Sequence, residues 1–209
     1  MMYLTINQLA SQVKYNQYIE LGPGPGTWTK LFLEKNSTKK HVLIDVSKEM
    51  LKQAKNKLNE YNKIKYIESN FSDVQLSEKF DFFFSSRAIE YVPDKKKTIK
   101  KIYDLLAKNS AGAIITKTPH PIRDYIYDII GRKIRIEQTG MISPKKMKKM
   151  LKVVGFTNIK IYPVIVEFPP SVKYNLPKVN KKIYELMSNK KFGLLSSLLS
   201  EAYLVTFEK

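Results

Sequence analysis

Short runs of apolar, β-branched and aromatic residues alternate along this chain with longer stretches whose apolar positions recur every three or four residues. That alternation predicts a parallel sheet flanked by helices. Strands are expected at residues 18–21, 42–44, 64–67, 80–84 and 112–116. Between them, Thr27 can cap a helix to about residue 35, and Ser47 one from 48 to about 59 with Met50, Leu51, Ala54 and Leu58 on its buried side. Pro93 opens a further helix carrying Ile99, Ile102, Tyr103, Leu105 and Leu106. Past Thr118-Pro119 the pattern is less regular. Residues 121–132 read as a helix, and Ser143-Pro144 starts a basic helix that ends at Gly155. Residues 158–162 and 164–168 form two strands or one strand bent at Pro163, helices follow at 179–188 and 194–202, and 203–207 closes as a strand.

Composition narrows the possible chemistry. With 209 residues and 43% hydrophobic side chains, one domain over 1–209 is expected, large enough to fold without disulfides or metal. The chain has no cysteine, which excludes thiolate nucleophiles and cysteine-held metal or iron–sulfur sites. With only His41 and His120 as histidines, no metal site is expected. His41, at the start of its strand, lies away from the active end and reads as structural. The first residues lack a signal-peptide layout, and no apolar run reaches the ~20 residues of a membrane span, so a soluble, cytoplasmic protein is expected. Net charge is +18, but only four of the 37 basic residues are arginine. Specific phosphate and base recognition favours arginine's planar fork, so the charge permits nucleic-acid binding without arguing for it.

Chemistry concentrates at Glu20-Leu21-Gly22-Pro23-Gly24-Pro25-Gly26, an acidic strand end followed by glycines at alternate positions. Glycines there let the chain turn sharply and let a ligand approach the main chain. Asp45 ends the next strand, where it can accept hydrogen bonds from ribose hydroxyls. A dinucleotide fingerprint would need a third glycine where Thr27 stands, and the lysine of a phosphate-binding P-loop is out of place.

These residues resemble the class I S-adenosylmethionine-dependent methyltransferases over about residues 18–168. The resemblance implies a Rossmann-like, doubly wound α/β fold: a seven-stranded, mostly parallel sheet with helices on both faces and the last strand antiparallel. It implies S-adenosylmethionine held by Glu20, Gly22, Gly24, Gly26, Asp45 and the adjacent Val46. Asn70 and Phe71 stand where the family contacts adenine, with asparagine where aspartate is common. Ser85 and Ser86 stand where the backbone holds the methionine portion, and Gly155-Phe156 matches the usual end of the last helix.

The acceptor side is less defined. Candidates for a general base, needed only where the acceptor must lose a proton, are His120 after the fifth strand and Glu90 or Tyr91 after the fourth. Arg87 is a candidate substrate contact. The amino-methylating Asn-Pro-Pro-aromatic motif is absent; Ser85-Ser86-Arg87 stands in its place. Segments at about 119–142 and 163–202 are expected to cover the substrate, and their tyrosines, isoleucines and leucines suit a small molecule, lipid precursor or glycan, with oxygen as the favoured acceptor atom. Two other readings are an RNA methyltransferase using the basic surface and a non-catalytic protein that binds S-adenosylmethionine or a partner.

Overall fold

A computed structural model of the chain describes residues 2–36, 39–119, 140–166 and 200–209, with the single positions 129, 178 and 182. Its element order is α1 (Met2–Gln12), β1 (Gln17–Leu21), α2 (Thr27–Lys35), β2 (Lys40–Asp45), α3 (Lys48–Lys57), β3 (Ile64–Glu68), β4 (Phe80–Ser86), α4 (Lys95–Leu105), β5 (Leu106–Lys117), α5 (Pro144–Val154), β6 (Thr157–Val166) and β7 (Ser200–Glu208). The strands form one seven-stranded sheet in the order β3-β2-β1-β4-β5-β7-β6. β1 through β5 pair in parallel, whereas β7 runs antiparallel to both β5 and β6. The expected Rossmann-like doubly wound fold is therefore present.

The chain winds outward from β1 to β3, then returns to pair β4 on the other side of β1. At such a reversal the connections leave in opposite directions, opening a crevice beyond the carboxyl ends of β1 and β4. Helices cover both faces. On one, Ile6 and Leu9 of α1 and Phe32 of α2 join Tyr18, Phe82 and Phe84 in an aromatic core. On the other, Ile99 and Ile102 of α4 and Met147 and Leu151 of α5 join Ile19, Ile44, Phe83 and Ile114. Alternate residues of β1 and β4 thus enter different cores, as strand geometry requires.

Several local expectations need correction. α1 has no counterpart in the sequence reading, because exposed Tyr3 and Leu4 blur the stripe made by Ile6, Leu9 and Ala10. Thr27 does not cap α2; left-handed Gly26 holds that position without a side-chain bond. Pro93 does not open α4, which begins at Lys95 behind the Asp94 cap, where the Asp94 carboxylate accepts from Lys97 N. β5 begins at Leu106 rather than at 112, its first half disguised by Lys108, Asn109 and Ser110. Residues 200–202, expected to end a helix, belong to β7, where Ala202 pairs with Lys117. There, long-range pairing outweighs local helical preference. The helices expected at 121–132 and 179–188, and residues 194–199, fall wholly or mostly outside the described residues.

Residues 157–166 form one strand through Pro163, with a register shift between Pro163 and Ile165. Proline is tolerated there because β6 is the sheet's edge strand and pairs only with β7.

Candidate active site

The loop after β1 is built from glycines with different duties. Gly22 donates its N–H to Ile44 O at 2.8 Å, tying the loop to β2. Its φ is +69°, and a β-carbon there would lie 2.2 Å from the Ala88 methyl. Only glycine lets the loops after β1 and β4 approach so closely. Gly24 differs: its φ is +53°, yet a β-carbon would meet nothing within 4 Å among the described residues. Their packing leaves the space before Gly24 open, so a ligand can reach the main chain there.

Asp45 anchors this loop from β2. One carboxylate oxygen accepts from Gly24 N at 3.2 Å and the other from Ser47 N at 2.9 Å. Ser47 in turn caps α3, its hydroxyl accepting from Met50 N at 3.2 Å. The partly exposed carboxylate keeps lone pairs for a ribose diol. Beside it, Val46 is 65% exposed, an apolar surface at the crevice rim.

Glu20 is fully buried. Its Oε2 accepts from Tyr18 OH at 2.7 Å and Thr29 Oγ1 at 2.8 Å, while Oε1 has no hydrogen-bond partner among the described residues. Burial pushes this carboxyl up to about 7; the two hydroxyl bonds oppose that rise and the nearby Asp45 adds to it. Tyr18 and Thr29 carry no motif signal, although Thr29 lies close enough to the glycine loop to have suggested a partner for Glu20. His41, structural as expected, is buried at the start of β2, with Tyr15 OH 3.0 Å from Nε2 and the Lys39 carbonyl 3.1 Å from Nδ1.

Asn70 is exposed after β3. Phe71 turns into the core at 3% exposure, its ring centroid 6.0 Å from that of Phe83. Ser85 and Ser86 end β4 as buried hydroxyls without a hydrogen-bond partner among the described residues. Leu21 pairs with Ser85, so the end of β4 lies beside the start of the glycine loop. The orphaned oxygens of Glu20, Ser85 and Ser86 together with the open face of Gly24 fit a ligand rich in polar groups, such as S-adenosylmethionine. Ammonium, carboxylate and ribose groups would satisfy atoms that are costly to bury alone.

Across the crevice lies a second cluster. Buried Glu90 accepts at Oε1 from Lys117 N at 2.7 Å and Thr116 Oγ1 at 3.1 Å, and that oxygen lies 3.5 Å from Arg87 Nε. Arg87 Nη1 lies 3.7 Å from Glu201 Oε1 on β7. Gly140 closes over this turn, since a β-carbon there would fall 2.1 Å from Glu90 O. Tyr203 OH donates to Ile142 O at 2.8 Å, fastening the same segment to β7. Of the base candidates, Glu90 has one oxygen, Oε1, engaged in these bonds, Tyr91 is 78% exposed and His120 lies outside the described residues. Thr116, Gly140 and Glu201 were not singled out from sequence; they come from distant segments and share no motif.

Sheet order, the antiparallel strand inserted beside β5 and the glycine loop facing Asp45 together define a class I S-adenosylmethionine-dependent methyltransferase fold. Residues 13–182 match the family model described as a methyltransferase domain, and the chain belongs to that family. It is 27% identical over 96 residues to the malonyl-[acyl-carrier protein] O-methyltransferase 1 of Ilyobacter polytropus, covering 46% of this chain and 35% of the relative. It is 28% identical over 119 residues to a trans-aconitate 2-methyltransferase of Rhodopseudomonas palustris, covering 57% and 44%. The matched segment thus spans less than half the length of either relative. Among solved structures, phosphoethanolamine N-methyltransferase 2 of Haemonchus contortus in complex with S-adenosyl-L-methionine superposes with a TM-score of 0.68 at 16% identity, over 99% of this chain and 51% of that one. That likeness concerns the fold. Among the described residues no helix is long and apolar enough to cross a membrane.

Proposed function

We propose that this chain transfers the methyl group of S-adenosylmethionine to an oxygen of a small carboxylate-bearing acceptor, a free acid or a lipid precursor, in the cytoplasm. Residues 1–209 act as one domain, with 119–142 and 163–202 covering the acceptor. The observation that carries the donor half of this reading is the open space before Gly24, bordered by Asp45 on β2 and by Gly22 locked against Ala88. Carboxylate oxygen as acceptor is supported by the names of the two relatives, which specify a malonyl group and trans-aconitate. A net charge of +18 also favours an anionic acceptor over a cationic one.

When bound, S-adenosylmethionine supplies a methyl group already activated on a sulfonium. The protein's remaining work is alignment and exclusion of water. In this reading Asp45 orients the ribose, Val46 and Asn70 border the adenine, Phe71 supports that wall from the core, and Glu20, Ser85 and Ser86 satisfy the methionine end. A carboxylate acceptor is ionised at neutral pH and has no proton to lose. The commitment of Glu90 to Lys117 N and Thr116 is therefore compatible with turnover, because no general base is required.

Titration calorimetry with S-adenosylmethionine and S-adenosylhomocysteine on wild type and Asp45→Ala tests the donor site. Binding by wild type that falls about ten-fold or more in the variant supports it, in line with loss of charge-assisted hydrogen bonds. No binding by wild type overturns it. Transfer of labelled methyl to carboxylic acids, but not to amines or RNA, tests the acceptor class.

A further inference from the structure

We propose that Arg87 is the receptor for the acceptor's carboxylate, and that Glu201 holds its guanidinium until an acidic acceptor takes that place. This rests on the carboxylate reading above. Arg87 is placed by its backbone. Its φ is +62°, a left-handed conformation uncommon for a side chain of this size, and its N–H donates to Ile115 O at 2.9 Å. The next residue, Ala88, is the one whose methyl meets Gly22. The Arg87 side chain therefore leaves the backbone beside the point where the β4 turn touches the glycine loop, and in this proposal the acceptor meets the methyl group there.

Its present partners differ in how firmly they are held. Glu90 is buried and fixed by Lys117 N and Thr116 Oγ1. The Glu201 side chain is 32% exposed and meets Arg87 only at 3.7 Å, well beyond the about 2.7–2.9 Å of a charge-assisted hydrogen bond. Arg87, itself 29% exposed, has five N–H donors in a planar fork, and its two ion-pair contacts among the described residues are both too long to be good hydrogen bonds. A free carboxylate can approach that fork with two parallel bonds, whereas Glu201 is bound to its strand, with its carbonyl accepting from Thr118 N. Thr118, whose N–H reaches the Glu201 carbonyl, also carries a buried hydroxyl without a hydrogen-bond partner among the described residues.

This exchange separates acceptor from product. The reacting carboxylate carries the charge that displaces Glu201; once esterified that group no longer does, so Glu201 returns to Arg87 and the methylated group loses its hold. The experiment measures binding of trans-aconitate, malonate and their fully methylated esters to the protein saturated with S-adenosylhomocysteine. Wild type should bind an acid in preference to its ester. Arg87→Gln should weaken acid binding roughly ten- to a hundred-fold and leave ester binding unchanged. Arg87→Lys should fall between, keeping charge without the fork, and Glu201→Gln should tighten acid binding. S-adenosylhomocysteine affinity should stay within about three-fold in every variant, which a purely structural role would not allow.

Equal acid binding by wild type and Arg87→Gln would overturn the proposal while leaving a carboxylate acceptor possible. Weakening by Glu201→Gln as large as that by Arg87→Gln would overturn it too, because the pair would then be structural. Binding of S-adenosylhomocysteine but of neither acid by wild type would also overturn it. Failure to bind S-adenosylhomocysteine at all would instead remove the donor site on which it rests.

Discussion

The two sides of the crevice are assembled in different ways. On the donor side, Glu20, Gly22, Gly24 and Gly26 follow one another in a single loop, and Asp45 lies one helix further on. On the acceptor side, Arg87, Glu90, Thr116, Gly140 and Glu201 come from four separated segments, joined because β7 inserts between β5 and β6. The donor side presents mainly backbone and one carboxylate, which a short motif can encode. The acceptor side presents side chains whose partners are set by sheet register. One side can keep its shape while the other changes, and substitutions that separate them test this division.

Gly22→Val should have the largest effect, because Gly22 is where the two sides touch. A branched side chain would collide with Ala88 in a backbone conformation it disfavours, costing on the order of 3 kcal/mol or more. Denaturant unfolding should show this together with loss of S-adenosylhomocysteine binding. A stable variant with normal affinity would show that the contact between the loops is dispensable.

Glu90→Ala should cost about 2 kcal/mol by leaving buried Thr116 Oγ1 and half-buried Lys117 N without their acceptor. Methyl transfer should drop far more than S-adenosylhomocysteine affinity, and calorimetry beside an activity assay would show whether the damage stays on the acceptor side.

A third test concerns pH, with Glu20 on the donor side and His41 at the far end of β2. The Glu20 carboxyl is raised to about 7, so the folded protein keeps a proton that the unfolded chain has lost, and this contribution weakens folding as pH rises from about 4.5 to 7. Burial lowers His41 to about 4, so the unfolded chain keeps the extra proton there, and this contribution strengthens folding as pH rises from about 4 to 6.5. Between pH 4.5 and 6.5 the two oppose each other. Relative to wild type, Glu20→Gln should add an upward slope of about 1.4 kcal/mol per pH unit in the cofactor-free protein, and His41→Gln a downward slope of the same size. Urea midpoints across that range would show it; parallel curves for all three proteins would refute it.

The smallest effect on stability should come from Gly24→Ala, about 1 kcal/mol from the positive φ alone, since nothing occupies the space its methyl would enter. Its effect on S-adenosylhomocysteine affinity should be much larger, because that space is where the donor must approach. A thermal melt beside calorimetry separates the two quantities.

The proposed donor side stands out in the sequence because its parts are consecutive and its chemistry is carried by residue types with few alternatives. Alternate glycines after an apolar strand signal a turn that a ligand can approach, and Asp45 at the next strand end completes the pattern. The paired faces of the sheet were readable in the same way, from continuous apolar strands such as 42–44. Less was visible wherever the deciding interaction is distant. Residues 200–202 follow a leucine-rich stretch and invite a helix, yet pairing of Ala202 with Lys117 makes them strand. Glu90 looks like a base when only its neighbours in sequence are considered; its bonds to Lys117 and Thr116 show that it also fastens the turn after β4 to the end of β5.

The order of apolar runs, the glycine loop and its acidic partners are properties of short segments, so local sterics and hydrogen bonding are enough to specify them, and the sequence alone determined the class of fold and the candidate donor loop. Tertiary structure alone decided that β7 enters beside β5, that Glu201 reaches Arg87 and that Gly140 closes over Glu90. Those contacts join segments separated by up to more than a hundred residues, and their geometry depends on sheet register, which no local pattern records.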